Sequence, residues 1–338
     1  MIARIFLLET KLSISSTLTT TPLFTSALTS SASPTTVVLD VTTTSSGLKW
    51  NSSGITVASG NGNSSILNPY AIFVDDEYYL YIAEKGNSRI SKWPSNSNGS
   101  ASSSVFRTGN SQLNQPPSLY VNSATGGIYV ADESNNRVVF FANGSINGSN
   151  VTTSLSGPAY SVNAIYLNPN GTIFIGDSTR NRIYNWITNE TVVGGYGTGQ
   201  AANQFNAIKR FFIDTSYSFY VPDSNNNRVQ KWFRGATSGI TVAGGYGLGS
   251  NASQLSGPLG VVVDSQGGII VCDSNNHRVQ RWSNNSTTIG QTIAGYSNGT
   301  SGSGPYGLNS PKGIALDKNN NLYVVDANNL RIQKFNVL

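Results

Sequence analysis

The chain has 338 residues, of which 38% are apolar and 11% charged, and its formal net charge is +5. An average soluble domain carries roughly 25% charged residues; here Gly, Asn, Ser and Thr fill the shortfall, and they favour turns and edges over helix interiors. No apolar run is long enough for a spanning helix, the single cysteine, Cys272, excludes an intrachain disulfide, and the dispersed basic excess lacks the clustered footprint of a nucleic-acid binder.

The start, Met1 to Leu8, holds Arg4 and a short apolar run that Glu9 and Lys11 interrupt. A secretory core segment needs roughly 7–15 apolar residues, so this is a poor signal peptide or the remnant of a longer one. Residues 12 to 47 are dominated by Ser and Thr, with Pro22 and Pro34. Such a stretch cannot bury enough surface to order itself. It reads as a flexible tether, O-glycosylated if extracellular, or as an unmodified linker. The division is therefore a Ser/Thr-rich segment, 1–47, and a folded domain, 48–338.

From Gly54 onward a repeat takes over. Six times an acid is followed five positions later by an arginine, and that arginine four positions later by an aromatic. The pairs are Glu84/Arg89, Asp132/Arg137, Asp177/Arg182, Asp223/Arg228, Asp273/Arg278 and Asp326/Arg331, and the aromatics are Trp93, Phe141, Trp186, Trp232, Trp282 and Phe335. The arginines stand 48, 45, 46, 50 and 53 residues apart. Fifteen residues before each acid lies Pro69, Pro117, Val162, Ile208, Pro258 or Pro311, and nine before it Asp75, Ser123, Asn168, Asp214, Asp264 or Asp317, so the register holds without gaps. Three strand-like runs separated by turn residues fill each copy, and a fourth follows the aromatic, as in Ile240-Thr-Val-Ala-Gly-Gly245. Four antiparallel strands per unit make a β-propeller blade, and a repeat of this period closes into a ring. The expected fold is all-β, a six-bladed propeller of four-stranded antiparallel blades.

The last copy ends at Leu338 without a fourth strand, while Gly54-Ile-Thr-Val-Ala-Ser-Gly60 is an orphan fourth strand ahead of the first copy. This segment is expected on the outer edge of the last blade, where it would close the ring and pair an open edge.

The segment Pro258 to Trp282, with Asn276-His277-Arg278, resembles an NHL repeat, and Pro311 to Phe335 is a second strong match. Glu84 in place of Asp and Val162 in place of Pro weaken the first and third copies. The resemblance spans residues 54 to 338 and implies the propeller. It implies little about function, because one propeller fold hosts unrelated activities.

Each acid ends a second strand and each arginine opens a third. A guanidinium can hold a carboxylate through two bonds at once, so each pair is expected to brace its own turn or a neighbouring blade; a ring of arginines reading an anion is the alternative. The aromatics are expected to fill the gaps between sheets, with a ligand cage as the alternative. Cys272 reads as a small apolar filler in a buried strand.

The second-to-third and fourth-to-first loops emerge on one face, and propeller ligands meet loops held by the rigid ring. Candidate binding residues on that face are Lys85, Arg180, Lys209, Arg210, His277, Tyr306 and Lys312, each otherwise a solvated loop residue. No catalytic set is assigned. His277 is the only histidine, whereas zinc catalysis wants three protein ligands; the amidating lyase with an NHL-like propeller relies on histidine-bound zinc, which this chain cannot reproduce. No metal site and no cofactor are assigned, with a channel calcium held by backbone carbonyls left open.

Twelve Asn-x-Ser/Thr sequons fall mostly in predicted loops: Asn51, Asn63, Asn98, Asn143, Asn147, Asn150, Asn170, Asn189, Asn251, Asn284, Asn285 and Asn298. The leading reading is a non-catalytic, monomeric propeller that binds a protein or glycan, a glycoprotein at the cell surface or outside the cell, with the cytoplasm as the alternative. One rival is an RNA-binding propeller like those of tripartite-motif proteins, using Arg180, Lys209, Arg210 and Lys312. Another is a metal-dependent hydrolase or lyase working in the central channel.

Overall fold

A computed structural model describes residues 47–59, 65–94, 97, 104–106, 113–151, 161–168, 170–284 and 288–338. The predicted tether, residues 1–47, lies outside this set except for Gly47, and so do the sequons at Asn63, Asn98 and Asn285.

Six four-stranded antiparallel sheets form a ring, a six-bladed β-propeller. Blade 1 comprises Pro69–Val74, Leu80–Glu84, Arg89–Trp93 and Ser104–Phe106. Blade 2 comprises Ser118–Asn122, Gly127–Asp132, Arg137–Phe141 and Gly148–Asn150, and blade 3 Ala164–Leu167, Ile173–Asp177, Arg182–Asn185 and Thr191–Gly194. Blade 4 comprises Phe212–Ile213, Phe219–Asp223, Arg228–Trp232 and Ile240–Gly244, and blade 5 Pro258–Val263, Ile269–Asp273, Arg278–Trp282 and Gly290–Gly295. Pro311–Leu316, Leu322–Asp326 and Arg331–Phe335 begin blade 6.

Ile55–Ala58 completes blade 6 by pairing antiparallel with its third strand, Ile55 opposite Lys334 and Thr56 opposite Gln333. The closure reaches further upstream than the orphan strand. Trp50 bridges Val337, its indole N–H donates to Asn320 O at 2.7 Å, and its ring is buried in the interface between blades 5 and 6. Burying a large apolar side chain contributes about 1.5–3 kcal/mol, and Trp50, Val57 and Ala58 are all buried. A chain beginning at Ser59 is therefore expected to melt on the order of 10 °C lower than the full chain in thermal circular dichroism; an unchanged transition would contradict this closure.

The core is divided into six clusters, one per blade interface. Trp93 packs with Tyr323 and Val325 of blade 6, Phe141 with Tyr81 and Ile90 of blade 1, and Trp186 with Val138 of blade 2. Trp232, Trp282 and Phe335 likewise each face the preceding blade. The pleat alternates side chains between the two faces of each sheet, so the repeated aromatic of each blade enters the same wedge together with the aliphatic and aromatic side chains of the neighbouring sheet.

Between acid and arginine the chain turns through a left-handed residue in every blade: Ser88, Asn136, Asn181, Asn227, His277 and Leu330 have φ between 49° and 54°. Asn tolerates that region best among residues with a side chain, which accounts for its recurrence there. One repeat landmark shifts. In blade 2 the first-to-second turn is held by Asn122, whose Oδ1 accepts from Ala124 N–H at 3.1 Å, and not by Ser123.

Candidate functional site

The repeated pairs form clamps. In blade 5, Asp273 Oδ2 accepts from Arg278 Nε and from Asn276 Nδ2, both at 2.8 Å, and Oδ1 accepts from Ser256 N–H at 2.7 Å. Arg278 Nη2 reaches on to the carbonyls of Asn251 at 3.0 Å and Gln254 at 3.3 Å. Blades 4 and 6 repeat the pattern through Arg228 to Ala201 and Gln204 and Arg331 to Gly304 and Gly307. In these three blades the pair therefore ties its own turn to the loop that enters the same blade. The link to the next blade is a serine: Ser224 Oγ donates to Pro258 O at 2.7 Å and Ser274 Oγ to Pro311 O at 2.6 Å. Burial lifts the Asp223 and Asp326 carboxyls above the ordinary range, while the bonds they accept, including those from Arg228 and Arg331, pull the other way.

Blade 3 departs from this scheme. Arg180 takes the Asp177 carboxylate at 3.2 Å, and Arg182 Nε stands 3.7 Å from it. Arg182 instead donates to Thr191 Oγ1 at 2.9 Å and Asn189 Oδ1 at 2.7 Å.

Where blades 4 and 5 place the linking serine, blades 1 and 2 carry Lys85 and Glu133. Lys85 Nζ lies 2.5 Å from Glu133 Oε2, and Glu133 Oε1 accepts from Asn163 Nδ2 at 2.5 Å, so these side chains span blades 1 to 3 at the channel mouth. Three cations gather about the Tyr70 ring: Lys85 Nζ at 5.1 Å, Lys312 Nζ at 5.1 Å and the Arg210 guanidinium at 4.9 Å from its centroid. Contacts of this kind are attractive within about 6 Å. Burial, then the charges of Lys85 and Arg210, hold the Lys312 ammonium below the ordinary lysine range.

Arg210 reaches the mouth because the first strand of blade 4 is broken. Ile208 makes only an isolated bridge to Asp223, and the regular strand resumes at Phe212. Arg210 Nη2 donates across the ring to Tyr70 O and to Pro117 O, the latter at 3.1 Å. Its Nε is buried with no hydrogen-bond partner among the described residues.

Below this mouth runs a channel of about 390 Å³ lined by the first strands of all six blades, with Phe73, Tyr120, Tyr166, Phe212, Val262 and Leu316 among its walls. Phe73 meets Tyr120 edge-on at 5.4 Å, and Tyr120 lies 5.0 Å from Tyr166. Burial pushes both phenols above their ordinary range.

On the loop face outside the mouth, Tyr196, Tyr246, Tyr296 and Tyr306 are 54%, 55%, 40% and 52% exposed. The first two ride on matched glycine turns: Gln204 Nε2 donates to Tyr196 O at 3.1 Å and Gln254 Nε2 to Tyr246 O at 3.2 Å. Gly197 and Gly247 take φ of 82° and 81°, which a side chain at either place would strain. A rim groove of about 820 Å³ between blades 3 and 4 runs up to Tyr196 past Asn168, Glu190, Tyr217 and Arg234.

Of the seven candidates read from sequence, the structure brings Lys85, Arg210 and Lys312 together. Lys209 is half-buried beside Arg210 in the broken strand. Tyr306 stands exposed on the last fourth-to-first loop. Arg180 is engaged by Asp177. His277 is the left-handed residue of its turn, and its Nδ1 accepts from Ser310 N–H at 3.0 Å, a bond to the entry of blade 6. Sequence reasoning missed Tyr70 and Glu133, whose signal was their departure from the repeat, and Tyr196, Tyr246 and Tyr296, whose signal was a Gly-Tyr motif every 50 residues. Cys272 is buried, and burial pushes its thiol up to about 12. Among the described residues, no three His, Cys, Asp or Glu side chains are grouped as metal ligands would be, and no helix is long and apolar enough to cross a membrane.

Residues 255–282 and 308–335 match the NHL repeat family, which places the match in blades 5 and 6. No curated protein matches the chain by sequence. Among solved structures, a protein of unknown function from Bacteroides thetaiotaomicron superposes with a TM-score of 0.66 at 15% identity, over 85% of this chain and 76% of that one. An auxiliary nutrient binding protein from the same organism gives 0.62 at 17% identity, over 86% and 77%. A catalytically inactive virginiamycin B lyase from Staphylococcus aureus, solved with quinupristin, gives 0.53 at 15% identity, over 82% of each chain. At these identities the likeness is one of fold, and the neighbours include binding proteins and enzymes alike.

Proposed function

We propose that this six-bladed propeller, with NHL repeats in its fifth and sixth blades, is a non-catalytic recognition module that binds a protein or glycan on its loop face. The observation that carries the reading is the set of tyrosines, Tyr196, Tyr246, Tyr296 and Tyr306, exposed on the fourth-to-first loops of consecutive blades. Tyrosine supplies a large, rigid, amphipathic contact at low entropic cost, and the braced glycine turns fix the backbone that carries two of these rings before any ligand arrives. A large side chain left in water on a built turn contributes nothing to the core, so packing does not account for it.

The test is a glycan and protein array probed with the wild-type chain and with the triple variant Tyr196→Ala/Tyr246→Ala/Tyr296→Ala. Aromatic hot spots cost about 2 kcal/mol or more on truncation, so at least one of the three positions is expected to lower affinity about thirtyfold. Wild-type hits that the triple variant retains at full strength would sink the reading. Binding confined to RNA, and falling steeply with salt, would favour the nucleic-acid alternative.

Display outside the cell belongs to the same reading. Asn51, Asn143, Asn147, Asn150, Asn170, Asn251, Asn284 and Asn298 are exposed sequon residues, accessible to a glycan. Expression in a secretory host is expected to give a product that loses mass on endoglycosidase treatment; an unglycosylated product retained in the cell would remove the extracellular part.

A further inference from the structure

We propose that the central channel binds an amphipathic monocarboxylate, with its apolar tail among the first strands and its carboxylate on Arg210. The channel and the tyrosine face are separate, so either assignment can fail alone.

Three observations carry this. The channel wall is mostly apolar and aromatic, with Ser118, Tyr120, Tyr166 and Thr215 as its uncharged polar side chains, and its volume of about 390 Å³ lies within the roughly 300–1,000 Å³ typical of small-molecule sites. At one end stands Arg210, among the described residues the one charged side chain lining the cavity. Its Nη2 is committed to two backbone carbonyls, but its Nε is buried and has no partner among the described residues. A buried donor left unsatisfied costs about 1–3 kcal/mol, and hydrogen bonds to charged groups are the strong ones. An anion arriving from within the channel would satisfy it.

The charge at that end is also unbalanced. Lys85, Lys312 and Arg210 surround the Tyr70 ring, and among the described residues the carboxylate paired with any of them is Glu133, which already accepts from Lys85 and Asn163. The Cys272 thiol, which like Tyr70 acts on Arg210, stays neutral because burial raises its pKa. The tail has a way in from the opposite face, where the channel ends at Val74, Thr215 and Leu316, of which Thr215 is exposed. One charge at the end of a long apolar cavity selects a single anionic head on an apolar chain. A polyanion would leave charge in the hydrocarbon part, where nothing compensates it.

The probes are decanoate, decanol and acetate, titrated calorimetrically into the full chain below their aggregation limits. Decanoate is expected to bind one per chain and at least about tenfold more tightly than decanol, a difference of about 1.4 kcal/mol; acetate, which lacks the tail, is expected to bind far more weakly. Arg210→Met is expected to abolish the preference for decanoate over decanol while leaving decanol affinity within about twofold. Equal affinities of the wild type for decanoate and decanol would overturn the proposal. So would the absence of decanoate binding, a stoichiometry above one, or a folded Arg210→Met chain that keeps the preference. If Arg210→Met does not fold, the three-probe comparison on the wild type decides alone, together with Arg210→Lys, which retains the charge and is expected to keep most of the preference.

Discussion

Replacing Trp232 with alanine is expected to lower the unfolding free energy by about 3–5 kcal/mol, the usual cost of truncating a buried large aromatic. Trp232 is buried in the wedge between blades 3 and 4, among Phe174, Ile183, Val193 and Phe219, and it stacks on Phe205 with centroids 5.7 Å apart and an interplanar angle of 26°. The ring is held on both sides by rigid sheets, so the hole cannot collapse without moving a whole blade, and the cost belongs at the upper end of the range. For a domain of this size the melting temperature is expected to drop on the order of 10 °C. Trp186, the equivalent residue of blade 3, is a little less buried than Trp232 and packs in a cluster of its own; the same change there is expected to cost less. Chemical denaturation of both variants checks the size and the order. Equal, small losses would mean that the aromatic wedges do not hold the blades.

The second large effect is expected at Arg228. Arg228→Ala removes the bond to Asp223 Oδ2 at 2.8 Å and the two bonds to the carbonyls of Ala201 and Gln204. Breaking a buried pair from one side typically costs about 3–5 kcal/mol, because the partner charge is left uncompensated. Arg228 keeps a little solvent contact, which places the expectation near the lower figure.

The loss should depend on pH, with a definite sign. Burial already lifts the Asp223 carboxyl above its ordinary range, and Arg228 is among the groups that pull it down. Without Arg228 the folded-state pKa rises further above the unfolded value. The folded variant then binds a proton that the unfolded chain does not, so stability increases as the pH falls through the folded-state pKa. The gap between variant and wild type is therefore expected to narrow as pH drops from about 8 toward the ordinary carboxyl range, about 4. A gap that widens on acidification would show that the Asp223 carboxyl is not the group left stranded.

The frame was legible in the sequence because it repeats. Acid, turn, arginine and aromatic recur in register, and strand pairing turns a one-dimensional register into a sheet with no freedom to slip. The closure was legible for the same reason: Gly54-Ile-Thr-Val-Ala matches fourth strands elsewhere, and it occupies that position in blade 6. Trp50 was not legible, since it precedes the repeat and its partners, Asn320 and Val337, are far away along the chain.

The candidate site was legible only in part. Lys85, Arg210 and Lys312 drew notice because they break the repeat, yet nothing local shows that they meet around Tyr70. Their meeting depends on ring closure setting blade 6 beside blade 1 with blade 4 across from both, and on the strand break between Ile208 and Phe212. The tyrosines teach the opposite lesson. Tyr196, Tyr246 and Tyr296 keep the repeat, so regularity alone would class them with the frame, and only their exposure separates them from it. His277 shows the same limit from the other side. The only histidine in the chain is a turn residue with its ring nitrogen bound to a backbone N–H.

The central claim is that the buried repeated residues hold the ring while the exposed tyrosines bind. The most direct test measures melting temperature and array binding on the same two proteins, Arg228→Ala and Tyr196→Ala/Tyr246→Ala/Tyr296→Ala. The expected result is a lowered melting temperature with binding retained below it for the first, and an unchanged melting temperature with binding lost for the second. A tyrosine variant that melts early yet binds normally, or an Arg228→Ala chain that melts normally and binds nothing, would contradict the claim.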